Sequence, residues 1–247
     1  MMTVNNLPTA ALALLRGISL QSWLIQILAV LLALSLHEAA HAWMANRLGD
    51  STAREAGRLT LNPLAHLDPA GTIFILLGAP VGWAKPVPFN PNRFERRYTV
   101  KQGIALVSIA GVTANVLLAA VSRLLLVGVQ LLLLLLQTDV VLLHNILDIS
   151  YQFLFSLFYI NLYLCVFNLL PIPPLDGFKF FGTLLPNRVY YWLMQRERII
   201  GMIFIGIVIF ARGALSTVLH TLATPLIWIL DTPAVWLLRQ LARLILS

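Results

Sequence analysis

His37-Glu38-Ala39-Ala40-His41 is the stretch of this 247-residue chain whose residue types and spacing most plainly spell out a reaction. On a helix, two histidines four positions apart lie one turn apart and point the same way. That spacing lets two imidazoles grip one Zn²⁺, with Glu38 beside them to take a proton from water. A bare H-E-x-x-H also turns up by chance in soluble helices. Here it lies in a strongly apolar run from about Trp23 to Asn46. Ionisable side chains in such a run are expensive and mark a functional site by default. Ala33 and Ala45 fall near the same helical face, where small residues let other helices come close.

Two histidines need at least one more protein ligand to leave a catalytic zinc with an open position. The single cysteine, Cys165, excludes an intrachain disulfide and a multi-cysteine zinc site, which leaves His, Asp and Glu. Asp176, in Pro171-Ile172-Pro173-Pro174-Leu175-Asp176-Gly177, is the best placed candidate. It has two readings: a carboxylate held in a helix break close to a metal, or a cap for the helix that follows. His66 and Asp68 are also possible ligands, although turn and packing roles suit their Pro- and Asn-rich surroundings better.

The elements that must position these groups are membrane helices. The composition is 59% hydrophobic and 11% charged, with a mean hydropathy of +0.84. This is the signature of a polytopic membrane protein, multi-pass in the bilayer. The net charge of +7 is read as cytoplasmic loops and not as nucleic-acid binding. No cleavable signal peptide is expected, because the extreme N-terminus lacks basic residues and no small-residue cleavage site follows the first apolar stretch.

Four spans are expected, at about 22–46, 102–136, 146–170 and 199–219. The second is tilted or broken near Arg123. Residues 1–20 are mildly apolar, contain Arg16 and are short for a span, so they are expected at the interface. The last segment, 222–246, either returns across the membrane or lies along its surface. Between the first two spans, Ala53–Leu61 and Gly82–Phe89 read as extended, and Gly71–Ala79 as re-entrant or a short buried helix. Lys and Arg crowd the 48–101 and 186–198 loops and are absent from 137–145, which puts the first two in the cytoplasm. His37 is about 15 Å of helix from Arg47, so the metal would sit nearer the cytoplasmic side. Ser108, Gly111, Asn115 and Ser122 share one face of the second span. Gly111 permits close approach there, and Asn115 offers an amide, as helix-to-helix glue or to the site.

His37–His41, Ala110-Gly111-Val112-Thr113-Ala114-Asn115 and Asn168–Gly177 together resemble the site-2 proteases, the intramembrane zinc metalloprotease family. Asn62–Gly71 and Gly82-Trp83-Ala84-Lys85-Pro86-Val87-Pro88 resemble the loop of its compact prokaryotic members. The resemblance covers about 22–185. It implies a three-helix catalytic core, one Zn²⁺ on His37, His41 and Asp176, and Glu38 as general base. It also implies substrates that are single-span membrane proteins already trimmed by another protease. Two positions depart from the family pattern: Gly111 is followed by Val112 in place of proline, and Gly177 is followed by Phe178 in place of a small residue.

The fold expectation is therefore an all-α polytopic membrane protein, one domain over 1–247. It has a small membrane-associated β or re-entrant element, a core at about 22–185 and extra helices at about 199–246. The bilayer and a single-span substrate are the expected partners, with no nucleic acid, and the plasma membrane of a prokaryote is the expected location. Asn115 and Asn168 are candidate substrate-binding residues, and Asn115 a candidate oxyanion donor. Ala53–Leu61 is a candidate edge for strand addition by an unwound substrate. The rival reading is a metal-ion transporter or a catalytically inactive scaffold. A transporter should show several sites along a polar stripe through the bilayer, whereas here the polar residues gather toward one side.

Overall fold

The computed structural model describes residues 19–68, 71, 85–136 and 140–246. The described elements are helical: α1 (Leu20–Arg47), α2 (Thr52–Glu55), α3 (Pro63–His66), α4 (Val100–Leu136), α5 (Val141–Leu169), α6 (Asp176–Phe181), α7 (Asn187–Met194), α8 (Glu197–Phe210) and α9 (Arg212–Leu246). Single 3₁₀ turns occupy Pro91–Arg93 and Gly182–Leu184. Four helices are long and apolar enough to cross a membrane: α1, α4, α5 and Gly213–Ile245 within α9.

The core is a bundle in which α1 packs on both α4 and α5, and α4 packs along α5. Small residues set the closeness. Ala29 and Ala33 of α1 are fully buried against Leu157 of α5, and Ala45 packs with Val107 of α4. Membrane helices gain little from hiding apolar surface from apolar lipid, so van der Waals fit at such small residues holds them together. α9 lies against α4 and α5, with Leu226, Ile227 and Leu230 around Ala119, Phe158 and Leu162.

Three expectations are corrected. The β or re-entrant element is not found among the described residues, which contain no strand. Ala53–Leu61, expected to be extended, begins inside α2. Asp50 accepts hydrogen bonds from the Thr52 amide and hydroxyl, and the Ser51 hydroxyl donates to Glu55, so local side-chain bonds start a helical turn there. Gly57, at φ 67°, then turns the chain so that the Arg58 amide reaches the Ala53 carbonyl at 2.8 Å. With no strand at Ala53–Leu61, the proposed edge for substrate addition is lost. Of Gly71–Ala79 only Gly71 is described, and residues 82–84 likewise lie outside the described residues, as do residues 1–18.

The second correction concerns Arg123. Of the two alternatives the break is ruled out: α4 is one helix through Arg123, whose Nε donates to Asp231 Oδ1 of α9 at 2.6 Å. The third concerns the fourth span. Residues 199–219 are not one helix: α8 ends at Phe210, Ala211 leaves helical geometry, and α9 begins at Arg212. At 14 residues, α8 is about 21 Å long, short of the roughly 30 Å hydrocarbon core. The fourth membrane-length helix is α9, which includes the 222–246 segment.

Candidate metal centre

α1 supplies His37 and His41 from one face, with their rings 4.5 Å apart and nearly perpendicular. Both are buried, at 4% and 8% exposure. They point at α4 where Gly111 removes the side chain in their way. A Cβ on Gly111 would lie 2.7 Å from Cε1 of His37 and would overlap the His41 ring outright. The glycine is thus required for the two helices to cross at the site. Gly111→Ala is expected to push the imidazoles apart and lower divalent-metal affinity by at least tenfold, by analogy with disturbed ligand orientation. Calorimetric titration of metal-stripped protein measures this, and an unchanged affinity would show that the crossing tolerates a methyl group.

Asp176 arrives from 139 positions away. α5 ends at Leu169, and Pro171, Pro173 and Pro174 prevent the helix from continuing. The chain then turns through Leu175 N–H to Ile172 O at 2.9 Å into α6, whose first residue is Asp176. Gly177 lets α6 fold back onto the end of α5, since a Cβ there would strike the Leu169 and Leu170 carbonyls. The N-cap position is held by Leu175, which makes no side-chain cap bond. The Asp176 carboxylate instead faces the histidines. Its Oδ2 is 3.1 Å from His37 Nε2 and 3.0 Å from His41 Nε2, and the two Nε2 atoms are 3.0 Å apart.

The outer partners match one tautomer of each ring. His41 Nδ1 lies 2.7 Å from the Val107 carbonyl oxygen, which only accepts, so Nδ1 holds the proton. His37 Nδ1 lies 2.9 Å from Asn115 Oδ1, again an acceptor. In that tautomer of the neutral imidazoles both Nε2 atoms present lone pairs, and a carboxylate oxygen presents another. Three lone-pair atoms at van der Waals contact or closer repel unless a cation lies among them. Tetrahedral Zn²⁺ with bonds of about 2.0–2.1 Å separates its ligands by roughly 3.3 Å. The donor set fits such an ion by chemistry and by spacing. Among the described residues, His37, His41 and Asp176 form a group able to hold a metal.

Glu38 stands beside the group, half-buried, and its Oε2 accepts a hydrogen bond from the Val87 amide at 3.1 Å. The other candidates fall elsewhere. His66 is buried and donates Nε2–H to the Thr60 carbonyl at 2.8 Å, and Asp68 Oδ1 accepts from the Gly71 amide at 2.9 Å. Asn168 donates its amide back to Leu164 on its own helix at 3.0 Å. Asn115 is 1% exposed, and its Nδ2 has no hydrogen-bond partner. The departure at Phe178 is explained by packing: its ring stacks on Tyr190 of α7 at 5.9 Å, whose own ring sits under Lys101. Sequence reasoning missed the Val107 carbonyl and the Val87 amide, since a backbone group leaves no mark in residue type.

The sequence profile of peptidase family M50 matches residues 25–211. Among similar chains is the candidate zinc metalloprotease YwhC of Bacillus subtilis, 38% identical over 195 residues, covering 76% of this chain and 81% of that one. The candidate zinc metalloprotease Rip2 of Mycolicibacterium smegmatis is 31% identical over 166 residues, 64% of this chain and 54% of its own. Rip2 of Mycobacterium tuberculosis is 35% identical over 153 residues, 60% and 52% of the two chains. The matched part thus spans about half of each Rip2 protein. No solved structure matches the chain.

Proposed function

The chain belongs to peptidase family M50, and from that premise we propose that it is an intramembrane endopeptidase of site-2 type, cutting in or beside the transmembrane segment of a single-span protein. At the coarser level it is a zinc-dependent protease with several membrane-length helices. One observation carries the finer reading: two of the three metal-binding side chains, His37 and His41, are buried on α1, a helix with a mean hydropathy of 1.7 over its most apolar window. A protease for soluble chains has no need to sink its ligands into a membrane-length helix.

His37, His41 and Asp176 would hold one zinc ion. When bound, Zn²⁺ supplies a Lewis acid that polarises a carbonyl and makes water easier to deprotonate. Glu38 takes the proton from the attacking water and returns it to the leaving nitrogen as the peptide bond breaks. The Asn115 carbonyl and the Val107 carbonyl hold the two imidazoles in the tautomer that leaves Nε2 free. Asn115 Nδ2, buried and unpartnered, is the available donor for a developing oxyanion. Asn168, whose amide is engaged on its own helix, would offer substrate only its side-chain oxygen. A transmembrane substrate must unwind locally, because its carbonyls are already hydrogen-bonded in the helix. The carrier reading finds no second ligand cluster among the described residues.

The test is cleavage of a tagged single-span substrate by purified protein, with and without a zinc chelator. Cleavage should stop on chelation and resume when zinc is restored. Cleavage by protein verified as metal-free would reject the proposal.

We also place the 48–101 and 186–198 loops in the cytoplasm, of a prokaryotic plasma membrane in keeping with the bacterial relatives, because Lys and Arg concentrate there. In a Cys165→Ser background, Asp139→Cys should react with an impermeant reagent added to intact cells, and Asn92→Cys only after permeabilisation. The reverse pattern would invert the orientation.

A further inference from the structure

The loop between α1 and α4 buries three side chains that the mechanism above does not use. Asp50 is 0% exposed, Arg58 6% and His66 1%. Burying charge is costly, and such groups persist where they hold something. Here they, or their backbone, all hold one segment, Lys85–Asn90. The Lys85 amide donates to the His66 carbonyl at 2.8 Å. The Lys85 carbonyl accepts from Arg58 Nη2. At the other end the Asn90 amide donates to Asp50 Oδ2. The segment is fastened at both ends.

Its middle reads Pro86-Val87-Pro88. Neither proline has an N–H, and each has a fixed φ. Val87 therefore carries the one amide donor between them. Its side chain is buried against Ala42 of α1 and Ala53 of α2, and its N–H points to Glu38 Oε2 at 3.1 Å. Glutamate has three side-chain torsions and two equivalent oxygens, so a carboxylate that must meet a water at one place needs something to hold it. A single fixed donor does this, and it does so by occupying one oxygen and leaving the other for the water.

We propose that Val87 is a positioning residue for the reaction: its backbone N–H, presented by a strap that Asp50, Arg58 and the His66 carbonyl fasten, fixes the carboxylate of Glu38. This rests on the reading of Glu38 as general base. The strap is not a seat for a substrate strand. Strand addition needs several free amides along an edge; here the amides of Lys85, Val87 and Asn90 are spent inside the protein and Pro86 and Pro88 have none, which leaves at most the single amide of Phe89.

The test is kinetic, in the full chain with zinc bound and a tagged single-span substrate. Val87→Pro deletes the N–H and keeps an extended backbone. It should lower kcat about 10²-fold, as expected when a catalytic group is misplaced by about 1 Å, with KM and zinc content within twofold of the parent. Val87→Ala trims the side chain but keeps the N–H, and should recover all but a few-fold of kcat. Parental kcat in Val87→Pro overturns the proposal, and so does a loss in Val87→Ala as large as that in Val87→Pro, which would mean packing alone. If Val87→Pro does not fold, Arg58→Gln loosens the strap from outside. A loss of kcat with KM and zinc retained supports the proposal, and parental kcat overturns it. Glu38→Gln is run alongside. If it cleaves at the parental rate, the base assignment has failed; if it is inactive while Val87→Pro is parental, only the positioning role has.

Discussion

Glu38→Gln is expected to abolish measurable cleavage while the protein still folds, holds zinc and binds an intact single-span substrate. The substitution keeps the size of the side chain and its ability to accept from the Val87 amide. It removes only the ability to take a proton. General acid–base catalysis is worth on the order of 10²- to 10⁴-fold, and Glu38 serves both halves of the proposed reaction, so the loss should lie toward the upper end. The measurement is the rate of product formation, together with metal content and substrate co-purification. Cleavage at near the parental rate with zinc in place would mean that another group moves the proton, even with the family assignment intact. A carrier would instead show altered ion flux and no peptide bond cut by either form.

Asp176→Ala is expected to lose the metal, and with it all activity, where His66→Ala loses neither. Asp176 Oδ2 stands within 3.1 Å of both imidazole nitrogens, so its removal leaves two ligands where a catalytic zinc site uses three protein groups and a water. His66 bonds to the Thr60 carbonyl on its own loop. Its loss should cost stability through a cavity and an unpaired carbonyl, not through the metal. Purified parental protein should carry about one zinc per chain, His66→Ala about the same, and Asp176→Ala a small fraction after dialysis. Metal analysis with the opposite order, His66→Ala empty and Asp176→Ala full, would overturn the ligand assignment. Because Asp176 opens the six-residue α6, Asp176→Asn offers a milder version that keeps the shape and weakens the charge.

The two largest effects differ in how far the residues alone foretell them. The chemistry of His37, Glu38 and His41 is legible in sequence because it is local. A helix places i and i+4 on one face whatever surrounds it, and an apolar run of membrane length specifies both that helix and its solvent. The three helices of the core follow for the same reason, as does the end of α5 at a run of prolines. Asp176 is legible only as a candidate, since one residue type at a helix start suits a cap and a ligand equally.

Tertiary structure decided the rest, and in each case because the deciding contact is remote or made by the backbone. Asp176 faces the histidines only because Gly177 lets α6 fold onto the end of α5 while Gly111 lets α4 cross α1. The tautomers of His37 and His41 depend on Asn115 and on the Val107 carbonyl, 78 and 66 positions away. Glu38 is held by an amide that any residue but proline would supply. The 53–61 stretch has residues compatible with a strand, but Asp50 and Ser51 start a helical turn and Gly57 reverses the chain, so capping bonds outweigh the pattern. Arg123 is costly in a lone membrane helix; in α4 its countercharge comes from Asp231 of α9, 108 positions away. Periodicity along one element is written in consecutive residues, whereas the meeting of α1, α4, α5 and α6 around His37, His41 and Asp176 is fixed by how closely their backbones can approach.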